Sequence, residues 1–137
     1  MAYMNSERKA QRAGKIKDIC KRYGVKGSLS VRHHSTLVLT VSQGKIDFLE
    51  SFNRLGSQEL RPDHLPFRPA EKAIDVNVYH YERHFDGKAL EFLQEVIPAM
   101  YGDDYFDETD SQIDYFHCSH YIDVNIGKWN KPYALVK

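Results

Sequence analysis

Two five-residue segments with the same alternation of apolar and polar residues constrain the fold most strongly. Ile74–Val78 reads Ile-Asp-Val-Asn-Val, and Ile122–Ile126 repeats it as Ile-Asp-Val-Asn-Ile. Successive side chains of a β-strand point to opposite faces, so the branched residues of both segments share one face and Asp and Asn the other. We expect two strands of one sheet, with the apolar face covered by helices and the carboxylates and amides facing outward.

The other periodic segments predict three helices and a hairpin. Helical spacing of apolar residues runs from Ser6, the expected N-cap, to about Tyr23, and it recurs after the capping residues Asp47 and Asp86. Strict alternation predicts two further strands joined by a turn. These strands are Ser28–Arg32 and Thr36–Ser42.

The order of these elements, α-β-β-α-β-α-β, predicts an α+β fold. The short connection between the first two strands favours antiparallel pairing, so we expect a four-stranded, mainly antiparallel sheet with helices packed on one face. Pro98 is expected to kink or end the last helix, because proline removes a helical hydrogen bond. With 137 residues, 42% of them hydrophobic, residues 1–137 suit a single domain.

Two segments lack clear periodicity. Residues 56–72 hold three of the five prolines, which predicts an extended surface loop. Residues 102–116 are acidic and interleaved with aromatic residues, a mixture typical of protein interfaces. The residues expected to contact a partner protein there are Tyr101, Asp103, Asp104, Tyr105, Phe106, Asp107, Glu108 and Asp110.

The polar face of the predicted sheet is a second candidate surface. Both a solvated sheet face and a ligand-binding face fit its mixture of charges, amides and an aromatic ring. Its candidate residues are Arg32, Asp75, Asn77, Tyr79, Asp123 and Asn125.

Charge is distributed unevenly along a chain whose formal net charge is zero. The first 35 residues hold nine basic and two acidic side chains, a net charge of +7, while the C-terminal half is acidic. Such separation fits nucleic-acid binding, self-association into a homo-oligomer, or chain ends that fold beside each other. The nucleic-acid alternative uses a basic flank of the first helix and the hairpin, formed by Arg8, Arg12, Lys15, Arg22 and Arg32.

No catalytic motif is complete in this sequence. The histidine-rich segments depart from zinc-enzyme signatures, and the glycine-rich phosphate loops and the serine elbow are missing, so we expect no cofactor and favour a non-enzymatic protein. A metal-dependent enzyme stays an alternative only if distant histidines converge. Those histidines are His80, His84, His117 and His120.

One segment resembles a known domain family. Val25-Lys26-x-Ser28-x-Ser30-Val31-Arg32, followed by Ser35-Thr36 and an alternating strand, is similar to the hairpin of large-polyvalent-protein-associated domains. Such domains occur in long proteins of phages and conjugative elements and as short phage proteins. The resemblance implies a phage or mobile-element origin and a role beside host takeover or counter-defence, and it brings no catalytic residues.

These observations together predict a small, non-enzymatic phage-type protein. We expect it to engage a host macromolecule by protein–protein interaction and thereby inhibit a bacterial defence system. The sequence has no apolar run long enough for a membrane span and no apolar signal core after Met1, so a location in the cytoplasm of the bacterial host is expected.

Overall fold

The structure, a computed structural model, describes residues 3–58, 66–103, 105 and 119–136. In these ranges, none of the helices combines the length and the hydrophobicity that a membrane span requires. In chain order the elements are α1 (Ser6–Arg22), β1 (Val25–Arg32), β2 (Thr36–Gly44), α2 (Phe48–Gln58), β3 (Ile74–Val76), α3 (Tyr81–His84), α4 (Gly87–Tyr101), β4 (Tyr121–Ile126) and β5 (Ala134–Leu135).

The strands form one mixed sheet in the order β1-β2-β4-β3, with β5 paired to β2. β1 and β2 are antiparallel, as are β3 and β4, whereas β2 pairs with both β4 and β5 in parallel. The predicted α+β class is therefore confirmed, but the sheet has a fifth strand and less antiparallel pairing than expected. β5 escaped prediction because a two-residue strand is too short to show alternation.

The two matched segments lie side by side, as predicted from their alternation. Ile74 pairs with Ile126, and Val76 pairs with Val124. All four of these side chains are buried in one hydrophobic core together with residues of α1, α2 and α4. The Asp and Asn residues between them therefore point to the opposite face of the sheet.

Side-chain hydrogen bonds define where α1 and α2 begin. Helix α1 is capped by Asn5, whose Oδ1 accepts from the backbone N–H of Arg8 at 2.8 Å, so Ser6 is the first helical residue rather than the cap. Asp47 caps α2 as predicted, since its Oδ1 accepts from Glu50 N–H at 3.0 Å. Both caps satisfy backbone donors that a helix leaves unpaired at its start.

Helix α4 continues through Pro98 for three more residues. The last turn keeps a hydrogen bond from Gly102 N–H to the Pro98 carbonyl at 3.0 Å, and the buried side chains of Ala99 and Met100 hold that turn on the core. Gly102 then ends the helix with φ of 78°, a conformation in which glycine carries no steric penalty.

The β1–β2 hairpin turns through two histidines with left-handed backbone angles. His33 and His34 have φ of 55° and 53°, and Ser35 N–H donates to the Arg32 carbonyl at 3.2 Å. Positive φ at both central positions is what a type I′ turn requires, and its twist matches that of the flanking strands. Ser35 follows as a third loop residue, and the paired strands begin at Arg32 and Thr36.

Candidate binding surfaces

The side of the sheet opposite the helical core displays a band of polar side chains, which we call the polar face. Alternation along each strand places its members together, because the register aligns Ser30 with Val38 and Val38 with Asp123. Its residues are Ser28, Ser30 and Arg32 of β1, Thr36, Val38 and Thr40 of β2, Tyr121, Asp123 and Asn125 of β4, and Asp75 of β3.

An ion pair crosses this face from β1 to β4. Arg32 Nη1 lies 2.9 Å from Asp123 Oδ2, although β2 separates the two strands. Two strand spacings amount to about 10 Å, so the long arginine side chain extends across β2. Thr36 and Val38 of β2 are accordingly buried, with 7% and 6% of their surfaces exposed.

Asp75 places a second carboxyl group beside this ion pair. It pairs with Asn125 across β3 and β4, which makes it a diagonal neighbour of Asp123. Desolvation, the negative charge of Asp123 and a hydrogen bond between the two carboxyl groups raise the pKa of Asp75, and Arg32 opposes the rise. The single positive charge of Arg32 thus lies near the two carboxyl groups of Asp75 and Asp123. When both carboxyl groups are ionised, the three side chains together carry a net negative charge.

Asp75→Asn is expected to stabilise the folded protein near neutral pH. Folding raises the pKa of Asp75 above its ordinary value of 3.8. The contribution of this carboxyl group to the free energy of unfolding is therefore fully present below pH 3.8, and it is lost as the pH rises through the folded-state pKa. The substitution should raise the free energy of unfolding by about 0.2–1 kcal/mol at neutral pH, the range of cross-strand charge pairs. The gain should disappear below the ordinary pKa.

Urea unfolding at neutral and acidic pH measures this effect. Glu91→Gln is the matched control, because Glu91 is an exposed carboxylate of α4 that pairs with Lys88 at 3.6 Å. No gain is expected from the control. A loss of stability in Asp75→Asn at neutral pH would contradict the like-charge arrangement.

Two predicted members of the polar face lie elsewhere. β3 ends at Val76 because Asn77 Oδ1 accepts from the backbone N–H groups of Tyr79, at 3.0 Å, and His80, at 3.2 Å. Such a turn competes with strand pairing, and alternation along the sequence cannot reveal it. Asn77 and Tyr79 therefore leave the sheet, and Tyr79 is 77% exposed beyond its end.

The prediction that Arg12 belongs to an exposed basic flank of α1 is wrong. This side chain is buried, and its guanidinium donates to the carbonyls of Met100, Tyr101 and Arg8 at 3.0–3.3 Å. A sequence shows helical spacing but not which carbonyl groups of a neighbouring helix lie opposite it.

Three of the other predicted basic residues are engaged in contacts within the protein. Arg8 donates to Ser119 Oγ at 2.7 Å and to the Tyr3 carbonyl. Arg22 pairs with Asp18 at 3.3 Å and Glu95 at 3.0 Å. Arg32 takes part in the ion pair with Asp123, and Lys15 is exposed on α1.

The histidines described by the structure do not converge. His80 is exposed, His84 lies against the ring of Phe52 at 5.9 Å, and His120 is buried 2.9 Å from Ser119 Oγ and 3.0 Å from the Met100 carbonyl. In the described ranges no group of three or more His, Cys, Asp or Glu residues could hold a metal ion. His117 lies outside these ranges.

Only part of the acidic, aromatic segment is described. The rings of Tyr101 and Tyr105 contact each other at a tilt, with centroids 4.4 Å apart. Tyr105 contacts the edge of the His120 ring at 5.5 Å, and Asp103 is exposed. The other residues predicted to bind a protein there lie outside the described residues: Asp104, Phe106, Asp107, Glu108 and Asp110.

The predicted proline-bearing loop is also described in part, since residues 59–65 lie outside the described ranges. Its first residues, through Gln58, belong to α2. Phe67 packs on Phe52 with ring centroids 5.7 Å apart. Gly56 leaves room for this contact, because a Cβ there would lie 2.2 Å from the Phe67 ring.

A cleft of about 570 Å³ lies where α1 ends and α2 and α4 begin. Two of its lining carboxylates, Glu50 and Asp86, are paired with Arg54, which lies outside the lining and contacts both oxygens of Asp86 at 2.6 and 2.7 Å. Asp86 occupies the predicted N-cap position of α4, but its side chain makes no capping bond there and accepts from Ser51 Oγ at 2.9 Å instead.

The sequence reasoning missed a second groove, at the other end of the polar face, where Lys26 of β1 meets Lys128 and Lys131 of the β4–β5 connection. More than one hundred residues separate Lys26 from these two lysines, so no local motif links them. The only local signal is Trp129, a large aromatic residue between two lysines.

Comparison with known proteins identifies no relative: no family matches this sequence, and no curated protein or solved structure is similar to it.

Proposed function

We propose that this chain is a small, non-enzymatic binding protein that engages another protein through the polar face of its sheet. Its setting would be the bacterial cytoplasm, where it would act for a phage or mobile element and inhibit a host defence system. The resemblance of the hairpin to large-polyvalent-protein-associated domains supports this setting, and the charges of the polar face support the mode of binding.

The observation that carries the proposal is the sharing of Arg32 between two carboxyl groups. The carboxylate of Asp123 lies 2.9 Å from the Arg32 guanidinium. The Asp75 carboxyl is repelled by Asp123 more than Arg32 stabilises it. A lysine or arginine brought by a partner would supply the missing positive charge and convert repulsion into attraction. Complementary charge of this kind sets the orientation and specificity of a protein interface.

The surroundings of this cluster also suit a protein partner. Tyr121 on the neighbouring position of β4 is 46% exposed, and Asn125 offers an amide beside Asp75. Tyrosine is enriched at the centres of interfaces because it combines a large apolar ring with a hydroxyl group. We therefore expect a basic side chain of the partner to lie against Asp75, with the Tyr121 ring in contact with another part of the partner.

Affinity capture from a nuclease-treated bacterial lysate tests the proposal. The tagged full-length chain is compared with Asp75→Lys, which adds positive charge where the partner's cation would lie. Asp75 is exposed and its carboxylate is disfavoured, so this variant should fold. We expect retention of the captured protein, measured by quantitative mass spectrometry, to fall by about tenfold or more, the equivalent of one lost charge pair at an interface.

Glu91→Lys is the matched control, because it makes the same charge change on an exposed position of α4, away from the polar face. It should retain the partner as the unmodified chain does. Equal retention by Asp75→Lys, loss of all retained material after nuclease treatment, or no protein enriched over an untagged control would each overturn the proposal. The thermal midpoint of each variant verifies its fold.

A further inference from the structure

A basic groove occupies the end of the polar face opposite the Arg32–Asp123 ion pair. It encloses about 260 Å³ between β1, β2 and the connection from β4 to β5. Lys26 and Arg32 are six residues apart on β1, so the two ends lie about 20 Å from each other. The groove is lined chiefly by Lys26, Ser28, Thr40, Ser42, Lys128 and Lys131.

The charge of this groove is entirely positive. No carboxylate is among its lining residues, and none of its three lysines forms an ion pair with the part of the chain that the structure describes. All three lysines are exposed. A concave surface lined by charges of one sign concentrates ligands of the opposite sign.

The floor of the groove offers hydroxyl groups to an anion. Ser42 Oγ donates to the Lys26 carbonyl at 3.3 Å, which ties the floor to β1. Ser28 and Thr40 pair across β1 and β2, and their hydroxyls make no hydrogen bond to the described residues. Ammonium and hydroxyl groups together are the donors that commonly bind phosphate oxygens.

A single tryptophan is held beside the groove on a tight turn. Lys128 N–H donates to the Lys131 carbonyl at 2.9 Å, and Lys131 N–H donates back to the Lys128 carbonyl at 3.1 Å. Trp129 lies in this turn and is 82% exposed. The ring thus contributes little to the core, although tryptophan is highly buried on average in folded proteins.

Gly127 lets the chain turn tightly between β4 and Lys128. Its φ is 73°, and a Cβ at this position would lie 2.5 Å from Tyr133 N and 2.8 Å from the Lys72 carbonyl. Its own N–H donates to the Val41 carbonyl at 2.8 Å, next to the floor of the groove. The turn that carries Trp129 and two lysines is therefore fixed to the sheet.

We propose that this groove binds single-stranded nucleic acid, with phosphates on Lys26, Lys128 and Lys131 and a base stacked on Trp129. A positively charged groove that follows the backbone, combined with an exposed aromatic ring, is how proteins bind single strands without reading their sequence. Duplex DNA fits less well because its bases are already stacked on each other. This site uses other side chains than the protein-binding cluster, although Asp75 lies in the same row of the sheet as Ser28 and Thr40, two strands away from Thr40.

Intrinsic fluorescence provides a direct test, because Trp129 is the only tryptophan in the chain. Titration of the full-length protein with a short oligodeoxythymidylate at low salt should quench its emission as a base stacks on the ring. The logarithm of the binding constant should fall linearly with the logarithm of salt concentration, with a slope of about 0.7 per phosphate contact.

Two variants separate the contributions of charge and stacking. Replacing both Lys128 and Lys131 by glutamine should reduce the salt slope by about 1.4, whereas Lys17→Gln with Lys21→Gln, exposed positions on α1, should leave it unchanged. Trp129→Leu should weaken binding of a labelled oligonucleotide by about fivefold or more, the effect of losing one stacked base. Because Trp129→Leu has no tryptophan emission, its binding of the labelled oligonucleotide is measured by fluorescence anisotropy of the label.

Three ligands distinguish a nucleic-acid site from a simple anion site. Inorganic phosphate and thymidine monophosphate should each bind far more weakly than the oligonucleotide, and duplex DNA should quench less. Equal binding of phosphate, equal binding of duplex, unchanged affinity in Trp129→Leu, or equal weakening by the α1 lysine pair would overturn the proposal. Asp75→Lys should still bind the oligonucleotide, so failure of one site is distinguishable from failure of the other.

Discussion

Replacing Phe48 with alanine is expected to lower the free energy of unfolding by about 3–5 kcal/mol, a large share of the stability of a small domain. Phe48 is fully buried at the start of α2. Its ring makes edge contacts with Phe85 at 6.3 Å, Phe92 at 5.8 Å and Tyr133 at 5.5 Å. Alanine would leave a cavity and remove all three contacts.

Urea denaturation followed by circular dichroism measures this loss. Phe48→Leu should cost less, because leucine retains most of the buried apolar volume. Leu135→Ala is the surface control, since Leu135 is 45% exposed on β5 and should change stability by no more than about 0.5 kcal/mol. If Phe48→Ala matched the surface control, the aromatic core as described would be wrong.

Arg12→Met is expected to destabilise the protein by at least about 2 kcal/mol. The guanidinium of Arg12 donates to the last carbonyls of α4, with Nε 3.1 Å from the Met100 carbonyl and Nη2 3.0 Å from the Tyr101 carbonyl. These carbonyls have no partner within the helix, and the positive charge also opposes the negative end of the helix dipole. Methionine fills similar space and donates nothing.

Arg22→Met on the same helix provides the control. Arg22 is half exposed and forms only surface ion pairs, so its loss should cost no more than about 1 kcal/mol. Arg12→Lys should fail to restore full stability, because one ammonium group cannot reproduce the fork of donors. Equal effects of Arg12→Met and Arg22→Met would show that Arg12 does not hold α1 to α4.

Several features of the fold were predictable because they depend on neighbouring residues. The cap at Asp47 depends on residues of α2 alone, and the alternation of Ile122–Ile126 depends on β4 alone. Both predictions are confirmed. The predicted β3 is too long because the side chain of Asn77 closes a turn. A polar residue within an alternating pattern gives no sign that it will form a turn instead of continuing the strand. The parallel pairing of β2 with β4 depends on a long connection that no local pattern encodes.

The candidate surfaces divide in the same way. Alternation alone predicted that Asp75 and Asp123 share the face opposite the core, and the register confirms that placement. It could not predict that Arg32 reaches across β2 to Asp123, since that contact depends on the order of the strands. The basic groove was missed altogether because Lys26 and Lys128 approach each other only through the sheet.

The sequence by itself determined which side of each strand and helix is apolar, because the backbone geometry of an element fixes its side-chain period within a few residues. The tertiary structure alone decided what each charged side chain meets. Arg12 was predicted on a solvent-facing flank, yet it lies on the carbonyls of α4, and Lys26 joins two lysines from the far end of the chain. Partners of this kind are set by strand order and helix packing, which bring distant residues within reach.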